Sequence, residues 1–139
     1  MRYISKSPEE TIKLGKRYSD SLKLGEIVGL NGDLGSGKTQ FVKGIGEYFQ
    51  VKDRINSPTF ILVNEYEAVD PINSIQFKIN HFDLYRLKNV NELFGIDFEN
   101  FFFFLELIII SFFIFWNTFS CQFFLSINPF FPTKIKPST

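Results

Sequence analysis

Eight consecutive residues, Gly32-Asp33-Leu34-Gly35-Ser36-Gly37-Lys38-Thr39, follow the spacing G-x-x-x-x-G-K-[ST]. Each residue type in that pattern suits the holding of a phosphate chain. Glycines let successive backbone N–H groups turn inward around an anion without Cβ clashes. A lysine next to them reaches the outer phosphate oxygens, and the hydroxyl that follows is a ligand for Mg²⁺. Asp33, Gly35, Ser36, Gly37, Lys38 and Thr39, with Gln40 just beyond, are therefore the candidates for binding ATP. Lys38 is also a candidate for catalysis, and Thr39 for the metal.

A second group is His81-Phe82-Asp83-Leu84-Tyr85-Arg86. A carboxylate closing an apolar strand is where a further Mg²⁺ ligand sits in P-loop enzymes, which makes Asp83 a candidate for both the metal and the catalysis. His81 reads equally well as a hydrogen-bonded structural histidine, and Arg86 as a solvated surface charge. Ser57-Pro58-Thr59-Phe60 is by itself a Ser-Pro turn. On the loop entering the next strand of a P-loop protein, however, Thr59 is placed to sense the γ-phosphate or its metal as a switch.

These side chains need a scaffold, and the hydrophobic pattern outlines one. Ser7-Pro8-Glu9-Glu10 starts a helix, with Ser7 as N-cap, Pro8 at the first position and two acids in the first turn. That helix is expected to run to about Leu22 and to bury Ile12, Leu14 and Tyr18. Glu26-Ile27-Val28-Gly29-Leu30 fits a buried strand, and Phe41, Val42, Ile45 and Phe49 recur at helical spacing after the glycine loop. Phe60-Ile61-Leu62-Val63 and Ser74 to Ile79 read as two more strands, with a turn near Asp70-Pro71. In the second, the face of Ile75, Phe77 and Ile79 continues into His81, Asp83 and Tyr85, so an apolar face turns polar where the strand ends. That is where α/β sheets keep their sites. The fold expected is α/β: a P-loop NTPase-like three-layer sandwich with a mostly parallel sheet.

The 139 residues fit one domain. Fifteen basic residues balance fifteen acidic ones, so a surface field that attracts nucleic acid is excluded and any contact with RNA is indirect. Cys121 is the single cysteine, and no apolar h-region follows Met1 to Lys6. A cytoplasmic protein is expected.

Twelve of the nineteen phenylalanines lie in the last 39 residues, which divides the chain into an ordinary P-loop domain over 1–100 and an aberrant apolar tail over 101–139. Three readings of the run 101–116 compete. A reading-frame slip in A/T-rich DNA, at the T run encoding Phe101 to Phe104, is favoured. A membrane anchor is the second, since Leu, Ile and Phe each favour insertion. A native segment of the core is the third.

Taken together, Thr11-Ile12-Lys13-Leu14-Gly15, the phosphate loop, Ser57-Pro58-Thr59-Phe60 and the stretch from His81 to Arg86 followed by Glu92-Leu93 resemble the TsaE family. The resemblance covers about residues 3–100. Members are small bacterial ATPases of the pathway that makes N6-threonylcarbamoyladenosine in tRNA, at position 37. It implies that Lys38 and Thr39 hold phosphate and Mg²⁺, that Thr59 belongs to a switch loop, and that Asp83 supports the metal or the attacking water. It also implies that Ser7 to Thr11 lies near the adenine, and that slow ATP hydrolysis occurs while docked on the transferase subunits TsaD and TsaB. The family pattern continues with a strand ending in Ile-Glu-Trp, whose glutamate is a further catalytic acid, and this sequence lacks it. Glu106 arrives a few residues early with no Trp beside it. The sheet is therefore expected to be incomplete at its C-terminal side. Two alternatives belong to other classes: a non-catalytic nucleotide binder held at a membrane by its tail, and a small P-loop kinase. The kinase needs a substrate lid between Lys52 and Asn89, where there is little room.

Overall fold

A computed structural model describes residues 3–58, 62–84, 92, 95 and 106–112. Helix α1, Pro8–Tyr18, begins as its sequence directs. The Ser7 hydroxyl accepts the Glu10 N–H at 3.1 Å, and the Glu10 carboxylate reaches back to accept the Lys6 N–H at 2.6 Å. The α-helix ends before the expected Leu22. Ser19 turns its hydroxyl onto the Gly15 carbonyl at 2.9 Å, and a 3₁₀ turn over Ser19–Ser21 takes over.

Strand β1, Ile27–Asn31, feeds the glycine loop, which opens helix α2, Lys38–Tyr48. Phe41, Val42 and Ile45 on that helix and Phe49 at its C-cap are buried, the stripe that the spacing outlines. Strands β2, Val63–Val69, and β3, Gln76–Asp83, form an antiparallel hairpin whose turn is closed by the Asp70 carboxylate on the Ile72 N–H at 2.9 Å. β2 therefore starts where the expected strand ends; Phe60 and Ile61 lie outside the described residues. Its true signal is the alternation of buried Tyr66 and Ala68 with exposed Glu65 and Glu67.

The fourth strand, β4, spans Leu107–Phe112, inside the segment expected to be an aberrant tail. It runs parallel to both β1 and β3 and lies between them, giving the order β1-β4-β3-β2. Of the three readings of the apolar run, a core segment is the one these residues match. The boundary expected at residue 100 falls before this strand, which pairs with β1 and β3 although it carries no Ile-Glu-Trp. Leu107, Ile108, Ile109 and Ile110 are all at most 3% exposed. Leu107 and Ile109 join Val28, Leu30, Phe77 and Ile79 in the core under α2, while Phe82, Ile108 and Ile110 are buried on the opposite face. A sheet covered on both faces has strands that are apolar throughout, which is why this one does not alternate. Among the described residues, no helix is long and apolar enough to cross a membrane.

The helices touch at a glycine crossing. A Cβ on Gly44 of α2 would fall on the Ile12 carbonyl oxygen of α1, and one on Gly15 would fall on the Phe41 carbonyl. Both clashes are with backbone, so neither can be relieved by a side-chain rotation. Gly44→Ala is expected to destabilise the protein by about 3 kcal/mol, the cost of overpacking where the structure cannot yield. Its helix propensity alone would predict a gain of about 1 kcal/mol, so the sign of the change in a denaturant melt decides between them.

Candidate functional site

The three parallel strands end side by side, with Leu30, Ser111 and Asp83 in one row across the sheet. Beyond that row the chain leaves β1 as the glycine loop, and a cleft of about 570 Å³ opens between the loop, Asp83 and the entry to α1. The site thus lies at the carboxyl ends of the strands, as the α/β topology requires.

Two glycines shape the loop. Gly35 and Gly37 have φ of +78° and +96°, in the left-handed region. A Cβ on Gly35 would meet nothing within 4 Å, so glycine is needed there for its backbone and not for space. Gly37 is the N-cap of α2 and gives it no side-chain cap, which leaves the first-turn N–H groups and the positive helix end directed at the cleft. The Lys38 ammonium lies within the loop, donating to the carbonyls of Gly32 at 2.6 Å and Asp33 at 2.7 Å and to the Ser36 hydroxyl at 3.3 Å. Burial lowers its pKa, and the charges of Asp83 and Asp33 oppose that shift. Thr39 and Gln40 line the cleft beside it. Asp33 does not: its side chain is exposed, and its part is the carbonyl that takes Lys38 and the Ser36 N–H.

Opposite the lysine, Asp83 lines the cleft from the end of β3. Its carboxylate accepts the Ser57 hydroxyl at 2.8 Å, and its backbone N–H donates to the Leu62 carbonyl at 3.0 Å. His81, one turn of the pleat behind, is 1% exposed and does not reach the cleft. Its Nε2 pairs with the Ser111 hydroxyl at 3.1 Å, and burial pushes its pKa down to about 4 against the opposing pull of Asp83. It is a neutral, structural histidine. Ser111 does line the cleft, a residue that sequence reasoning passed over. The signal was available: the run Ile108-Ile109-Ile110 ends in a polar residue, just as β3 ends in Asp83. Glu106 is no substitute for a catalytic acid. It precedes β4, accepts from the buried Asn80 amide and is absent from the cleft lining.

The third wall comes from the start of α1. Thr11 lies beside Gly37, with its hydroxyl 2.6 Å from that of Ser5 and 3.2 Å from the Ser7 carbonyl. Ser5 and Lys6 also line this wall and were not anticipated. Thr59, Tyr85 and Arg86 lie outside the described residues. Among the described residues no three His, Cys, Asp or Glu side chains gather as a protein-only metal cage. Thr39 and Asp83 offer two oxygen donors, which suits a cation that takes its remaining ligands from phosphate and water.

A strand, a glycine loop with an inward lysine and a helix with an open N-terminus, at the end of a mainly parallel sheet, define a protein of the P-loop α/β fold class. The model of one family, described as threonylcarbamoyl adenosine biosynthesis protein TsaE, matches residues 5–125. This chain belongs to the TsaE family. The match runs past residue 100 and takes in β4, further than the motifs alone reach. Three relatives each bear the name tRNA threonylcarbamoyladenosine biosynthesis protein TsaE. That of Rickettsia conorii is 48% identical over 94 residues, covering 67% of this chain and 50% of the relative. That of Bacillus subtilis is 35% identical over 97 residues, covering 70% and 58%, and that of Aquifex aeolicus is 43% identical over 86 residues, covering 60% of each. The chain thus spans about half the length of the first of these curated relatives. The crystal structure of Bacillus subtilis YdiB superimposes with a TM-score of 0.57 at 25% identity, over 80% of this chain and 63% of that one.

Proposed function

We propose that this chain binds ATP with Mg²⁺ and serves, in the cytoplasm, the threonylcarbamoyladenosine modification of tRNA, docked on the transferase subunits TsaD and TsaB. One observation carries the nucleotide reading. The Lys38 ammonium, from the first residue of α2, and the Asp83 carboxylate, from the end of β3, face one cleft with the open end of α2 at its floor. Loop amides and Lys38 hold the phosphates, and the Thr39 hydroxyl and Asp83 carboxylate supply oxygens to the metal. Bound Mg²⁺ would neutralise charge on the outer phosphates. The tRNA role follows from the names of the relatives, and the balanced surface charge suits a subunit that meets tRNA through its partners.

Asp83 is the one carboxylate lining the cleft among the described residues, and Ser111, beside it in the row, is neutral. That favours slow turnover, or binding without turnover, over rapid hydrolysis. The test is expression of this chain in bacteria depleted of their own TsaE, with the modified nucleoside in tRNA measured by mass spectrometry. Recovery of the nucleoside is expected. Protein that accumulates and binds ATP yet leaves tRNA unmodified would remove the tRNA role and keep the nucleotide site.

A further inference from the structure

We propose that Ser57 is a positioning residue of the nucleotide site, held by Tyr66, which fixes the Asp83 carboxylate for the metal. This rests on the nucleotide-binding reading above and adds to it a group that acts through Asp83. The Ser57 hydroxyl donates to Oδ2 of Asp83 at 2.8 Å, and the two residues lie 26 apart in the chain. A carboxylate at a strand end can rotate about its last bond. One oxygen held by a directed hydroxyl sets the plane of the other, and ligating carboxylates are oriented by such outer partners.

The hydroxyl can do this only if its own backbone is fixed, and the neighbouring residue is clamped. The Tyr66 phenol, 5% exposed in the core, donates to the Asn56 carbonyl and accepts the Asn56 N–H, both at 3.2 Å. The Asn64 amide donates to the same carbonyl at 3.2 Å. One residue earlier, Ile55 is buried against α2, where a Cβ on Gly46 would strike its side chain. A buried ring from β2 thus sets the position of a loop residue, whose neighbour sets the carboxylate of β3. Tyr66 does not line the cleft, and its phenol reaches Asp83 through Asn56 and Ser57.

The experiment titrates full-length protein with a fluorescent ATP analogue, with and without Mg²⁺, and reads the ratio of the two dissociation constants. Ser57→Ala is expected to cut the gain from Mg²⁺ about tenfold, the lower end of what an outer partner of a ligating carboxylate contributes. Tyr66→Phe, which keeps the ring and removes the clamp, should cut it in the same sense by a smaller factor, and Ser57→Thr should restore most of it. A merely structural loop would weaken both constants alike and leave their ratio intact. A wild-type gain that Ser57→Ala retains overturns this inference alone. A wild-type protein that gains nothing from Mg²⁺ overturns the metal reading and this inference with it.

Discussion

A chain cut after Asn100 is expected not to fold, even though residues 1–100 have the composition of a complete small domain. The cut removes β4, and among the described strands β1 pairs with no other. The phosphate loop would then hang from a strand with no ladder, and β3 would be left with one edge open. Leu107, Ile108, Ile109 and Ile110 are lost from the core as well. Four such side chains contribute about 6–12 kcal/mol, as much as the 5–15 kcal/mol that holds a typical domain together. Since the cut also removes residues beyond the strand, a point variant isolates the cause. Ile109→Asp in the full chain places a carboxyl at a fully buried position between β1 and β3, and burying an unpaired charge costs enough to unfold a marginal domain. Circular dichroism with urea melts reads both. The loss of a cooperative transition is expected in each, and a truncated chain that melts cooperatively would show that β4 is dispensable.

The features legible in the sequence are those whose requirements are local. The phosphate loop needs its glycines, lysine and threonine within eight residues, and the cap of α1 needs Ser7 and Glu10 three apart, so both can be read without knowing the fold. The hairpin turn at Asp70 is equally self-contained. β4 is different, because a strand buried on both faces has no alternation, and Leu107 to Ile110 looks the same whether it enters a core or a bilayer. Its apolar neighbours from Phe101 onward then decided the reading against it. Only pairing with β1 and β3, some eighty and thirty residues away, assigns it to the sheet. Ser111 was hidden for the same reason: it matters through its row with Asp83, and register is a property of two strands. Ser57 looked like the first half of a turn because its partner is far along the chain. The crossing at Gly15 and Gly44 needs two helices to be seen at all.

Replacing Lys38 by alanine is expected to weaken ATP binding about a hundredfold while leaving the fold in place. The two effects separate because of where the ammonium sits. Within the loop it holds the Gly32 and Asp33 carbonyls and the Ser36 hydroxyl, yet the loop lies at the mouth of an open cleft, so water can replace it at those acceptors. The stability change should therefore stay near 1 kcal/mol, the ordinary net worth of such hydrogen bonds. A phosphate chain has no equivalent substitute. It loses a charge-assisted donor in a site where burial already works against the ammonium, and a hundredfold loss corresponds to about 2.7 kcal/mol, within the 1.5–3 kcal/mol of a hydrogen bond to a charged group. Lys38→Arg sharpens the test. It keeps the charge, but a planar guanidinium cannot converge on three acceptors around one nitrogen, so most of the affinity should still be lost. Calorimetric titration of folded variants gives the constants. If the alanine variant held ATP within threefold of the parent, the phosphates would have to be held by groups other than this lysine.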